Sequence, residues 1–184
     1  MNLGEAGQVS TRHLTRLALL AAVALILFVF EAVVPRPLPW MKLGLGNAAV
    51  LMALILFDWR GASAVAVIKV FVGSLLTGAF AGPTFVLACG ASMTSLLLMA
   101  GGLQVGRSRV RSLGLSAVGL SILGACTHQV TQLALASLYL GHPGLVGLAP
   151  LFIASGLLAG AITGLIAHFA VQRLQPHPAE GTYP

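Results

Sequence analysis

Lys69 is the residue that most needs a chemical explanation. It lies near the middle of an apolar run, residues 61–80, and no acidic residue stands within eight positions of it. In a membrane helix its Cα would lie about 13 Å from Arg60, too deep for the ammonium group to reach the surface easily. Two interpretations follow: a ligand or ion site, or a structural lysine that bonds carbonyls or a rim acid such as Glu31.

A second polar group stands in the run ACTHQVTQLALAS, residues 125–137. His128 and Gln132 are four positions apart and share one helical face, with Gln129 beside them. Hydrogen bonding between helices explains one such residue, but an imidazole and two amides within five positions favour a ligand or ion site. The predicted substrate-binding set, whose two lysines indicate an anionic or carbonyl-rich ligand, comprises Lys42, Asn47, Lys69, His128, Gln129 and Gln132.

The sequence offers little for catalysis. Its four acidic residues are scattered, so it has neither a carboxylate pair for acid-base chemistry nor an aspartate cluster to hold Mg²⁺ on a diphosphate. Cys89 and Cys126 form no CxxC pair, and no GxxxxGK[ST] phosphate loop is present. We therefore predict no catalytic residues, no metal and no cofactor, and we expect any energy for movement to come from a partner or a gradient.

The elements that position these residues are predicted to be membrane helices. The chain has 184 residues, is 58% hydrophobic and 8% charged, and has a mean hydropathy of +0.97. Such a composition is typical of an integral membrane protein. We predict an all-α bundle in residues 14–172 between a cytoplasmic N-terminal segment, 1–13, and a cytoplasmic tail, 173–184. Its six spans are residues 14–34, 41–57, 61–80, 83–103, 113–140 and 145–172.

Basic residues predict the orientation of the bundle, because Lys and Arg accumulate at cytoplasmic ends. An inside N-terminus places seven arginines inside and leaves Arg36 and Lys42 outside, so both termini are predicted to be cytoplasmic. The run RSRVR, residues 107–111, is interpreted as an anchor at anionic headgroups rather than a nucleic-acid site. The inside set comprises Arg12, Arg16, Arg60, Arg107, Arg109, Arg111 and Arg173.

Small residues indicate where helices pack closely. The second span begins KLGLGN, residues 42–47, and its glycines predict a short or broken helix start that lines a cavity. Gly156, Gly160 and Gly164 form one small-residue face, for which packing within the bundle is the simpler interpretation. Ala18 and Ala22 form another, and spacing alone leaves open whether they contact a neighbouring helix or another subunit.

Four features together resemble one bacterial membrane family. They are KLGLGN at 42–47, the turn after Phe57, the charge at Lys69, and HQVTQLALAS at 128–137, in this order within six spans. The resemblance is to the family labelled heptaprenyl diphosphate synthase component I, also called the Gx transporter family, over about residues 14–172. Members of the broader group are similar to the S components of energy-coupling-factor (ECF) vitamin transporters, which are six-helix bundles with a pocket toward the outer side.

This resemblance implies two functions. The first is binding and translocation of a vitamin-sized, anionic molecule, for which a flavin is one candidate, in the bacterial cytoplasmic membrane. In S components small alanines on the first helix contact a transmembrane coupling subunit that works with ATPases, and Ala18 and Ala22 match that pattern. The second is an accessory role in heptaprenyl diphosphate synthesis for menaquinone. A structural subunit without a small-molecule ligand is a third interpretation of the residues.

Overall fold

The computed structural model describes residues 11–35, 38, 41–107 and 115–174. The described residues are helical or irregular, and none of them lies in a strand. This arrangement confirms the predicted all-α fold, and it is that of a helical membrane bundle. The helices are α1 (Thr11–Val33), α2 (Asn47–Leu56), α3 (Trp59–Leu76), α4 (Pro83–Arg107), α5 (Ala117–Leu140) and α6 (Ala149–Leu174), with a short 3-10 helix (Pro143–Leu148) before α6.

Four helical segments of the described chain are long and apolar enough to cross a membrane, in or around α1, α3, α4 and α6. Helix α5 has sufficient length, 24 residues, and carries the imidazole and amide side chains of the site. Helix α2 has only 10 residues, about 15 Å of helix, which is half of a hydrocarbon core of about 30 Å. The prediction of a span over residues 41–57 is therefore wrong in its extent, whereas the predicted broken start is confirmed.

The glycines of KLGLGN explain why α2 starts late. Gly44 has φ +79°, a left-handed conformation that favours glycine, and its carbonyl accepts the Asn47 N–H at 2.8 Å. Residues 41–44 are consequently irregular, and helix begins at Asn47. The helix then runs through the core, with eight of its ten residues buried and with every other long helix packed against it.

Helices α5 and α6 pack through the predicted glycine face. A Cβ atom on Gly160 would lie 2.6 Å from the Cα of Ile122, and one on Gly164 would lie 2.8 Å from the Cα of Val118. No side chain larger than the hydrogen atom of glycine fits at such distances. These glycines therefore serve packing within the bundle, which was the simpler interpretation of their spacing. Ser121 and Thr163 add a buried hydroxyl hydrogen bond of 2.9 Å between the same helices.

The alanine face lies on α1. Ala18 and Ala22 are both exposed on α1, so they contact no neighbouring helix of this chain closely enough to be covered.

The charges behind the predicted orientation are less fully described. Arg36, Arg109, Arg111, Trp40 and the side chains of Arg12 and Arg107 lie outside the described residues, as do most of segments 1–13 and 173–184.

Candidate functional site

Lys69 lies inside the bundle rather than at a membrane surface. Its residue surface is only 2% exposed, and its Nζ donates a hydrogen bond to Oδ1 of Asn47 at 2.5 Å. The aliphatic stem passes close to Gly46, where a Cβ atom would lie 2.8 Å from the Lys69 Cδ. Gly46, the second glycine of KLGLGN, therefore makes room for the Lys69 side chain. Asn47, the next residue of the same motif, accepts the hydrogen bond from its ammonium group.

Asn47 connects the ammonium group to α4 and α5. Its Nδ2 lies 3.4 Å from Oγ of Ser95 and 3.4 Å from Nδ1 of His128, and the Ser95 hydroxyl donates to the Gly124 carbonyl at 2.8 Å. We call Asn47, Lys69, Ser95 and His128 the buried polar network. It joins α2, α3, α4 and α5, so two residues predicted from separate spans, Lys69 and His128, do converge on one place.

The network assigns the protonation of the imidazole. Because the ammonium group of Lys69 requires an acceptor, the Asn47 oxygen faces Lys69 and the amide nitrogen faces His128. The amide N–H therefore meets Nδ1 as an acceptor, which places the ring proton on Nε2. This Nε2 is buried and makes no hydrogen bond of good geometry to the described residues, although the ring also lies close to the Ala91 backbone. A buried donor without a partner is what a ligand acceptor would satisfy.

Lys42 and Gln132 lie next to this network. The backbone N–H of Lys42 donates to Oε1 of Gln132 at 3.1 Å, and the Lys42 ammonium lies 3.5 Å from the centroid of the Phe28 ring. Both lysine and glutamine are buried. Lys42 was predicted at an outer rim, but it is enclosed, since a cation over an aromatic face and a backbone bond hold it inside.

Glu31 is the acidic residue of the site, and the sequence presented it only as a partner for a structural lysine. It is buried at the end of α1, its Oε1 accepts the Leu45 N–H at 2.6 Å, and its charge interacts with those of Lys69 and Lys42. One signal was available, because Glu31 is one of only four acids and ends an apolar run. Counted over the described residues, two lysines against one glutamate leave an excess of one positive charge.

Gln129 does not join the others. It is fully buried, but its Nε2 donates to Oγ of Ser155 on α6 at 2.9 Å. One residue after His128, it lies about 100° around the helix and faces the α6 side. Its Oε1 has no hydrogen-bond partner among the described residues. The predicted set thus divides: Gln129 bonds to α6, whereas the other five members lie in or beside the network.

A cavity of about 230 Å³ adjoins the site at the end of α1. Its described lining residues are Phe30, Glu31, Val34, Pro35, Met41, Leu43 and Leu45, and we call it the Glu31 cavity. A second cavity, of about 160 Å³, lies at the other end of α1 beside Arg16. The Glu31 cavity is the one that shares a residue with the charges of the site.

The arrangement is suited to binding. Amide, hydroxyl, imidazole and ammonium groups supply donors, while Glu31, the one carboxylate near them in the described part of the chain, already accepts a backbone N–H. Among the described residues, no three His, Cys, Asp or Glu side chains are grouped to hold a metal ion. The geometry offers hydrogen-bond donors and positive charge in a medium of low dielectric, where each acts more strongly than in water.

The fold and the network together define an all-helical membrane protein with a charged, hydrogen-bonded site inside its bundle. Residues 20–170 match the model of the family described as heptaprenyl diphosphate synthase component I, and the chain belongs to this family. The resemblance drawn from KLGLGN, Lys69 and HQVTQLALAS is confirmed in that respect. No curated protein and no solved structure matched the chain.

Proposed function

We propose that this chain is a substrate-binding and translocating membrane subunit, similar to the S components of ECF transporters. It resides in the bacterial cytoplasmic membrane with both termini inside, and it binds a vitamin-sized anion from the outer side. Lys69 and Lys42 attract the anion, while Asn47, His128 and Gln132 bond its polar groups. Gln129 lies outside the site and supports it by bonding α5 to Ser155 of α6.

One observation carries this proposal: a net positive, buried group of side chains retains an unused donor, Nε2 of His128. Burying an ammonium group such as that of Lys69 costs several kcal/mol unless it is paired and hydrogen-bonded, and two cations beside one described acid favour a bound anion. A ligand that supplies negative charge and acceptors would remove both deficits. Intramembrane charges of this kind usually mark substrate or ion pathways.

Partner subunits follow from the same proposal. The chain contains no phosphate loop, so ATP hydrolysis would come from partner ATPases acting through a transmembrane coupling subunit, with a gradient as the other energy source. Ala18 and Ala22 are exposed on α1 and are small enough to let another helix approach closely. They are the residues we assign to that contact.

Equilibrium binding to the purified protein tests the proposal. Flavin mononucleotide and other anionic vitamins would be titrated against the wild type and against Lys69→Gln, with loss of at least tenfold in affinity expected for the variant. Arg60→Gln is the matched control, because it removes an exposed cation from the same helix. Equal loss in both variants would indicate a general charge effect, and unchanged affinity in Lys69→Gln would remove Lys69 from the site.

A second function rests on the description of the family, heptaprenyl diphosphate synthase component I. The chain would then be a membrane accessory subunit of a prenyltransferase, since it lacks the paired aspartates that such chemistry needs for its metal-bound diphosphate. Co-purification with a soluble prenyltransferase, and prenyl synthesis that depends on this chain, would favour this function. Anion binding without either result would favour transport.

A further inference from the structure

Residues 41–46 form a thin wall between the buried polar network and the Glu31 cavity, and we call them the partition. Successive residues face opposite sides. Met41, Leu43 and Leu45 line the cavity. Lys42 bonds Gln132 through its backbone on the other side, and a Cβ on Gly44 would lie 3.5 Å from the His128 ring and 3.3 Å from the Asn47 amide nitrogen.

The two sides of the partition differ sharply in chemistry. Of the seven described residues that line the cavity, Glu31 is the only one with a polar side chain. Across the partition lie the Lys69 ammonium, the Asn47 amide and the His128 imidazole. An apolar chamber therefore meets a net positive, donor-rich one, and they are separated by one thickness of irregular backbone.

Hydrogen bonds to side chains and to nearby backbone, rather than a helix, hold the partition in place. Leu45 N–H donates to Glu31 at one end, and Lys42 N–H donates to Gln132 at the other. Residues 41–44 have no helical hydrogen-bond ladder, and the left-handed Gly44 interrupts the segment. A ligand that offered acceptors to these N–H groups could displace the partition without unfolding a helix.

We propose that the ligand is an amphiphilic anion that lies across the partition. Its hydrocarbon part occupies the Glu31 cavity, and its anionic head pairs with Lys42 and Lys69 and accepts from His128. This inference rests on the proposed function, because it assumes the same anion site, and it narrows the substrate class. A fully polar vitamin would leave the apolar chamber without a matching surface.

The cavity limits the size of the hydrocarbon part. The described residues bound about 230 Å³, which accommodates about eight methylene groups if each takes about the 30 Å³ of a liquid water. This is much shorter than the acyl chains of a bilayer phospholipid. The occupant we assign is therefore a monomeric amphiphile with a single short chain, and a membrane phospholipid is the competing source of the same chemistry.

Alkyl phosphates of two to twelve carbons provide the experiment, measured by equilibrium binding to the protein in nanodiscs, with empty nanodiscs subtracted. Affinity is expected to rise about fourfold for each added methylene, the ratio that corresponds to about 0.8 kcal/mol, and to level off near eight carbons. Octanol and octylammonium are expected to bind at least tenfold more weakly than octyl phosphate. Nanodiscs made with and without anionic phospholipid are compared, and little difference is expected.

Two variants separate the halves of the ligand. Val34→Trp fills the Glu31 cavity from the end of α1, outside the partition, and is expected to abolish the dependence on chain length, with ethyl phosphate, whose chain is too short to occupy the cavity, as the reference ligand. Leu56→Trp, which fills the Arg16 cavity instead, is the matched control and should leave the dependence intact. Lys69→Gln is expected to remove the preference for octyl phosphate over octanol.

Several outcomes would overturn the inference, and they differ from failure of the proposed function. If ethyl phosphate or flavin mononucleotide binds as tightly as octyl phosphate and requires Lys69, the anion site stands and the hydrocarbon part is wrong. Tighter binding of octylammonium would show that Glu31 selects a cation instead. Displacement of every probe by anionic phospholipid would assign the cavity to bilayer lipid. If no anion binds at all, both proposals fail.

Discussion

Glycines have different roles in the α5–α6 contact and in the surroundings of α2. In the first, Gly156, Gly160 and Gly164 bring two backbones together, and the Thr163 hydroxyl accepts from Ser121 while it donates to its own helix. Around α2, by contrast, glycines make room for polar and charged side chains: Gly46 for the stem of Lys69, and Gly44 for the His128 ring.

This contrast shows that glycine has two roles in one small membrane protein. At the α5–α6 contact the two helix backbones touch each other, so no space remains between them for a ligand. The region around α2 combines a short helix, an irregular partition, an adjoining cavity and an unpartnered donor. We interpret α5 and α6 as the rigid support and the α2 surroundings as the adaptable part, and each prediction below tests that distinction.

The largest effect is expected at Gly160. Gly160→Leu forces side-chain atoms into the backbone of Ile122, which cannot move without separating α5 from α6, so we expect a loss of about 3 kcal/mol or more in unfolding free energy. Thermal or denaturant unfolding in detergent measures it. Gly101→Ala is the control, because the position has open space and helical alanine is favoured by about 1 kcal/mol over glycine. Equal effects at the two positions would contradict the close packing.

The same contrast explains what could be predicted from the sequence. Hydropathy and spacing identified the helical class and the glycine face, because both depend on residues close together in sequence. The broken start of α2 followed from KLGLGN, since glycine weakens helix locally. The convergence of Lys69 with His128 was predicted as a hypothesis from residue types alone.

Other features depend on tertiary placement. Glu31 and Lys42 are brought close enough for their charges to interact only because α1 ends beside the partition, and no local pattern specifies that. Gln129 was grouped with Gln132 by proximity in sequence, whereas rotation about the helix directs it to Ser155. The hydropathy pattern likewise cannot reveal which side of α5 faces which neighbour, because α5 is polar on more than one side.

Asn47 should produce the next largest effect. Asn47→Leu removes the acceptor of the Lys69 ammonium and leaves a buried charge without its bond, which is expected to cost about 3 kcal/mol. Adding Lys69→Met to Asn47→Leu removes the charge as well. The double variant should therefore lose at least about 1 kcal/mol less unfolding free energy than the sum of the losses in the two single variants. Unfolding of the four proteins in the cycle measures the coupling. Additive losses would show that the two side chains do not stabilise each other.

Glu31 is expected to give a smaller change in stability and an opposite change in binding. In Glu31→Gln the amide oxygen still accepts the Leu45 N–H, but the bond is no longer charge-assisted, so we expect a loss of about 1 kcal/mol. Removing the negative charge near both lysines should strengthen binding of octyl phosphate by about tenfold. Isothermal titration measures the second effect, and weaker binding would mean that Glu31 itself contacts the ligand.

Glu31→Leu extends that comparison to the partition. Leucine cannot accept the Leu45 N–H, so amide hydrogen exchange in residues 41–46 should accelerate while exchange in α6 stays unchanged. Glu31→Gln is the matched control, since it retains an acceptor. Faster exchange throughout the bundle would mean that Glu31 supports the whole fold rather than the partition.

The smallest effect on stability is expected on the exposed face of α1. Ala18→Leu with Ala22→Leu adds side chains where lipid or a partner lies, so the unfolding free energy should change by no more than about 0.5 kcal/mol. The same pair should abolish co-purification with a coupling subunit and its ATPases, because the added bulk keeps a second helix from close approach. Ala154→Leu, at an exposed position of α6, is the control and should leave the complex intact. A complex that survives both changes would move the contact away from these alanines, and a loss of stability in the α1 variant alone would mean that this face packs within the bundle after all.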